Sequence, residues 1–106
     1  MPEVILNEKN FKAEVLDVPG PVLVDFWAEW CGPCRMMGTV IEQLAKDFEG
    51  KAKVCKINVD ENPGPAGNYN IMAIPTICIF KAGQVVERFV GVQSKESITS
   101  KLNSHL

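Results

Sequence analysis

The chain has 106 residues, 46% hydrophobic and 23% charged, with 11 basic against 13 acidic side chains and a net charge of −2. That is the size of one ordinary domain able to bury an apolar core without disulfide staples, and a single domain over residues 1–106 is expected. The basic residues are scattered instead of forming a stripe, which argues against a nucleic-acid partner, and no stretch approaches the roughly 20 apolar residues of a membrane span.

The N-terminal run Met1-Pro2-Glu3-Val4-Ile5-Leu6-Asn7-Glu8 carries no basic region ahead of an apolar core and no small-residue cleavage site, so it does not read as a signal peptide. The cytoplasm is the expected compartment. In that setting four cysteines point to catalytic, metal-binding or core roles instead of a disulfide scaffold.

Val4-Ile5-Leu6 opens the chain as a short apolar run. Asn7 is placed to cap a helix carrying Phe11, Val15 and Leu16, which the turn Pro19-Gly20-Pro21 ends. Val22 to Trp27 follows as a strand whose nearly unbroken apolar character suits coverage on both faces, with Asp25 as its one interruption. Met37, Val40, Ile41, Leu44, Ala45 and Phe48 recur at spacings of three and four, predicting an amphipathic helix that Glu49-Gly50 closes. A strand over Val54 to Val59, the turn Asp60-Glu61-Asn62-Pro63-Gly64-Pro65 and a short helix near Ala66 to Tyr69 come next. Thr76 to Phe80 and Val85 to Val90 predict a hairpin across Lys81-Ala82-Gly83-Gln84. Ser94 then caps a final helix that docks Ile98, Leu102 and Leu106. The order β-α-β-α-β-α-β-β-α implies an α/β fold of three layers, a mixed sheet of about five strands with helices on both faces.

Between the apolar strand and the amphipathic helix lies Trp30-Cys31-Gly32-Pro33-Cys34. A free cysteine, with a pKa of about 8.5, is mostly protonated at neutral pH, so a reactive thiolate needs stabilisation. Pro33 suits a first helical turn, which sets Cys31 beside unpaired N–H groups at the positive end of the helix dipole and marks it as the nucleophile. Residues three apart share a helix face, so Cys34 reaches Cys31 and serves as the resolving thiol. Gly32 admits a partner chain closely and Pro33 stiffens the turn. The competing reading, half of a zinc site, requires a second close pair, whereas Cys55 and Cys78 are lone strand cysteines and His105 is the single histidine. No metal is expected, and Cys55 and Cys78 read as small buried hydrophobes.

Other residues admit two readings on their own. Asp25 is either a carboxylate reaching water near a strand end or a buried one whose raised pKa suits it to accept and return a proton. Lys56 is either a lysine extending to solvent or a partner of a nearby charge. Trp30, beside the nucleophile, is read as shielding it and touching clients, and Trp27 as packing.

The motif Trp30-Cys31-Gly32-Pro33-Cys34, with Asp25 and Trp27 ahead of it and Ile74-Pro75-Thr76 behind, resembles the thioredoxin family from end to end. The resemblance implies the thioredoxin-like fold and protein-disulfide reduction: Cys31 attacks a client disulfide, Cys34 resolves the mixed disulfide, and a thioredoxin reductase restores the dithiol. It implies no bound cofactor, a monomer, and a buried Asp25 behind Cys34 exchanging protons with it, with Lys56 nearby. It also implies a cis Ile74–Pro75 bond beside the dithiol, Ile74 backbone holding an extended client, and Gly91 keeping the client surface flat. Two departures stand out: Gly38-Thr39 where the family commonly has a proline in the helix, and Ala73 where glycine is frequent. Rival functions are a disulfide oxidase or isomerase of the same fold, which usually has a histidine between the cysteines, and a non-catalytic binding subunit or holdase using the apolar surface around Trp30, Ile74 and Val90.

Overall fold

In the computed structural model, which describes residues 3–106, five strands form one sheet in the order β1-β3-β2-β4-β5. Met1 and Pro2, which begin the N-terminal run read above, lie outside the described residues. The strands are β1 (Val4–Ile5), β2 (Pro21–Trp27), β3 (Lys53–Asn58), β4 (Thr76–Lys81) and β5 (Gln84–Val90). β1, β3 and β2 run parallel, while β4 pairs antiparallel with both β2 and β5. The mixed sheet expected from the alternating pattern is present. β2 lies at its centre, which explains the apolar run: Val22, Leu23, Val24 and Phe26 are all fully buried.

Alternation along β2 divides the core in two. Leu23 joins Val54, Ile77 and Ile79 on one face, covered by Met37, Ile41, Leu44 and Ala45 of α1 (Gly32–Asp47) and by Ile98 and Leu102 of α3 (Lys95–Asn103). Val22, Val24 and Phe26 join Cys55, Ile57, Cys78 and Phe80 on the other, covered by Phe11 and Val15 and by the region of α2 (Pro63–Asn68). Each large side chain so buried contributes about 1.5–3 kcal/mol relative to exposure. Phe11, Tyr69 and Phe80 meet as a cluster of tilted and edge-on rings.

The helix boundaries follow from local chemistry. The Asn7 carboxamide accepts the N–H groups of Lys9 and Asn10, as a cap should, but Lys12–Leu16 winds as a single π-turn in which Asp17 N–H bonds the Lys12 carbonyl. α1 ends with Phe48 N–H on Leu44 and a left-handed Gly50 at φ +81°. Ser94 Oγ accepts the Ser97 N–H at 3.1 Å and starts α3. In the β4–β5 hairpin both central residues, Ala82 (φ 52°) and Gly83 (φ 78°), are left-handed, the backbone a tight hairpin of right-twisted strands requires. One docking residue falls elsewhere than its spacing implied: Leu106 lies beyond the end of α3 and is 54% exposed, so only Ile98 and Leu102 anchor that helix.

Candidate active site

The dithiol sits where β2 hands over to α1. Cys31 is extended (φ −89°, ψ 108°) and caps the helix itself, its Sγ accepting the Cys34 N–H at 3.2 Å, while Pro33 occupies the first helical turn, where its missing N–H removes no helical bond. Cys31 and Cys34 are joined as a disulfide with their Cα atoms 5.3 Å apart. The Cys31 sulfur is thus held by a helix N-terminal N–H group, a contact that favours negative charge there. Gly32 and Pro33 are exposed and both cysteines are buried.

Ile74 and Pro75 pack alongside. The Ile74–Pro75 bond is cis, and the Ile74 carbonyl oxygen lies 3.8 Å from Cys31 Sγ. Pro75 is buried just before β4, and its carbonyl accepts the Gly91 N–H at 2.8 Å. Gly91 is left-handed (φ +87°), so the backbone conformation, not lack of space, is what asks for glycine there. Trp30 is 72% exposed and fixed by its indole N–H, which donates to Asp60 Oδ2 at 2.8 Å. With Ile71, Met72, Ala73 and Ile74 it lines an apolar groove of about 280 Å³, and Met72 stands 92% exposed.

Behind the dithiol, Asp25 is only 2% exposed, and its Oδ1 has no hydrogen-bond partner among the described residues. Burial pushes its carboxyl from 3.8 up to about 7; the Lys56 ammonium pulls it down and the Glu3 carboxylate pushes it further up. Asp25 and Cys34 line one cleft of about 270 Å³, together with Trp27, Ala28, Glu29, Arg35, Gly38 and Lys56. A cleft of that volume has room for water. Lys56 is half-buried, with its ammonium 5.2 Å from the centre of the Trp27 ring, so it neither extends freely to solvent nor bonds Asp25 directly.

The Thioredoxin family model matches residues 2–104. The chain belongs to the thioredoxin family. It is 57% identical over 100 residues to a thioredoxin of Chlorobaculum thiosulfatiphilum, covering 94% of this chain and 93% of that one. It is 54% identical over 100 residues to thioredoxin 2 of Chlorobaculum tepidum, covering 94% and 92% of the two chains. With a thioredoxin of Staphylococcus aureus it shares 54% identity over 103 residues, 97% of each chain. Family and paired cysteines together make the chain a thiol–disulfide oxidoreductase of the dithiol-reductant kind, its redox group being the Cys31–Cys34 pair.

Within the thioredoxin frame, the residues singled out in the sequence gather into two groups. Trp30, Cys31, Gly32 and Pro33 lead into or open α1, with Ile74 against the Cys31 sulfur and Pro75 bonded to Gly91, while Cys34, Asp25 and Lys56 line the cleft. Of the two family departures, Gly38-Thr39 leaves α1 continuous from Gly32 to Asp47, and Gly38 forms part of the cleft wall. Ala73 lines the outer groove and its carbonyl accepts the Thr76 hydroxyl at 2.6 Å. Cys55 and Cys78 are fully buried; burial pushes the Cys55 thiol up to about 12 and raises that of Cys78, so neither competes as a thiolate. Four residues of the site escaped the sequence reading. Asp60 was seen only as a turn residue, Met72 carried no signal, and Arg35 and Glu29 look like ordinary surface charges until the cleft is seen.

Proposed function

We propose that residues 1–106 act as one monomeric domain in the cytoplasm, in which Cys31 and Cys34 divide the reduction of client disulfides between them. The Cys31 thiolate attacks one client sulfur, forming a mixed disulfide and releasing the other as a thiolate that takes up a proton. Asp25 then accepts the Cys34 proton through water in the cleft, and the Cys34 thiolate attacks Cys31 Sγ, expelling the second client sulfur as a thiolate that takes up a proton. Two electrons have passed to the client, the Cys31–Cys34 disulfide remains, and a thioredoxin reductase restores the dithiol. Trp30, Ile74, Pro75 and Gly91 receive the client, whose extended backbone pairs with that of Ile74. Gly32 keeps the approach open, Pro33 fixes the turn, and Lys56 tempers the proton affinity of Asp25.

The observation that supports this division most is the Cys34 N–H on Cys31 Sγ, which favours the anion at position 31 and not at 34. The test is a pair of variants. C34S should accumulate a mixed disulfide through Cys31 with a disulfide-bonded protein substrate, and C31S should form none and lose reduction. Trapping through Cys34 in C31S, or reduction that survives both replacements, would overturn the assignment. The midpoint potential of the pair should fall near the reducing end of the thiol–disulfide scale, where thioredoxin itself lies at about −270 mV, and not at the oxidising end.

A further inference from the structure

The backbone from Asn70 to Pro75, between α2 and β4, makes few hydrogen bonds of its own. Ile71 N–H donates to the Ala66 carbonyl at 2.9 Å and the Ala73 carbonyl accepts the Thr76 hydroxyl at 2.6 Å, while the N–H groups of Met72, Ala73 and Ile74 have no partner among the described residues. Such a segment keeps its place only as well as its two ends are held. Strand β5 reaches both. Gly91, just past its last residue, donates its N–H to the Pro75 carbonyl at 2.8 Å. Earlier in the strand, the Arg88 guanidinium donates to the Tyr69 carbonyl at 2.7 Å and approaches the Asn70 carbonyl at 3.5 Å. Arg88 pairs with Cys78 of β4, so its side chain lies on the sheet face where the Tyr69 ring meets Phe80 edge-on.

We propose that Arg88 is a positioning residue for protein-disulfide exchange: by holding the Tyr69-Asn70 turn it fixes the segment whose Ile74 carbonyl lies against the Cys31 sulfur and whose backbone receives the client. The inference rests on the client-binding role given to Ile74 above. Tyr69 closes α2 and Asn70 after it is left-handed (φ 55°), a helix ending that leaves its last carbonyls in need of donors. Among the described residues no other group donates to the Tyr69 or Asn70 carbonyl, and a guanidinium, planar and always charged, can serve two acceptors at once. The peptide unit that Arg88 approaches at Asn70 is the one whose N–H, from Ile71, bonds Ala66. Without the guanidinium the Tyr69 ring stays packed on Phe11 and Phe80, so the fold survives, but the turn loses its cross-strand donor. A client would then have to order the segment as it binds, which weakens capture and leaves the sulfur chemistry at Cys31 as it was.

The test uses the full chain as wild type, R88Q and R88K. Amide exchange at Ile71, followed by NMR on the oxidised protein, reads the turn directly and should quicken about five-fold in R88Q, the worth of one net hydrogen bond. Single-turnover oxidation of the reduced protein by insulin reads client capture: the half-saturating insulin concentration should rise about five-fold in R88Q while the limiting rate holds within about two-fold. Oxidation by hydroxyethyl disulfide, too small to pair with the Ile74 backbone, should change less than oxidation by insulin. R88K, which keeps one charged donor, should fall between wild type and R88Q in both exchange and half-saturation. Unaltered Ile71 exchange in R88Q, or an equal loss of rate with insulin and hydroxyethyl disulfide, would overturn the proposal. Failure of the underlying client reading looks different: Ile71 exchange would quicken while half-saturation by insulin stayed put, which would overturn the role of Ile74 and the proposal with it.

Discussion

Replacing Asp25 with asparagine should make the oxidised protein more stable at alkaline pH, by an amount that grows with pH in a defined window. The wild-type carboxyl binds its proton with a pKa of about 7 when folded, against the ordinary aspartate value of 3.8 in the unfolded chain. Below 3.8 both folded and unfolded chains carry the proton and Asp25 contributes no difference. Between 3.8 and 7 the unfolded chain releases the proton while the folded chain retains it, so stability falls as pH rises; above 7 the loss is complete. Each unit of separation corresponds to about 1.36 kcal/mol, so from pH 4 to pH 8.5 the wild type should lose about 4 kcal/mol that D25N, neutral throughout, does not. Because Asp25 is almost wholly buried, solvent screening reduces this little. Asparagine brings its own partly unsatisfied amide, a cost independent of pH, so the informative quantity is the slope of the stability difference and not its value at one pH. Guanidinium unfolding of both proteins at pH 4, 6, 7 and 8.5, with the Cys31–Cys34 disulfide closed so that neither thiol titrates, measures it. A stability difference that is flat across this range, or that moves in favour of the wild type as pH rises, would refute the argument.

Two further substitutions test local features. Gly38 lies inside α1, where an added Cβ would meet no atom within 4 Å, so G38A should stabilise the protein by about 1 kcal/mol in denaturant titrations through helix propensity alone. Glu8 reaches across to the start of α2, where its Oε2 accepts the Gly64 N–H at 2.7 Å while its own N–H donates to Asn62 Oδ1. E8A should therefore cost about 1 kcal/mol and raise amide exchange at Gly64 specifically.

How much of this could be read in the sequence depended on the range of the forces involved. The dithiol was legible because its chemistry is local: three residues of spacing, a proline and a helix start bring Cys31 and Cys34 together whatever the rest of the chain does. The sheet was legible because strand burial leaves an apolar run, as in β2, and because Ala82-Gly83 sits between two such runs. Asp25 was ambiguous because burial is a tertiary property; the same carboxylate would reach water if α1 were shifted off β2. The π-turn at Lys12–Leu16 was read as ordinary helix, since side-chain spacing cannot separate a bond to the fifth residue from one to the fourth over a single turn. Leu106 fitted the helical repeat but lay past the last turn the helix could form.

In the proposed mechanism the division of labour rests on the different settings of two sulfurs only three residues apart. Cys31 Sγ lies 3.8 Å from the Ile74 carbonyl oxygen and accepts the Cys34 N–H, a contact that favours its thiolate on reduction. Cys34 lines a cleft with Asp25, whose burial pushes its carboxyl to about 7. A fully ionised Asp25 behind Cys34 would hold negative charge against the forming thiolate, and a fully protonated one could take no proton from it. A carboxyl poised near neutrality avoids both, accepting the proton as the Cys34 anion forms and leaving the cleft with no net gain of charge. In the proposed mechanism the same burial that destabilises the fold above pH 7 serves the resolving step, and a variant that relieves the first should slow the second.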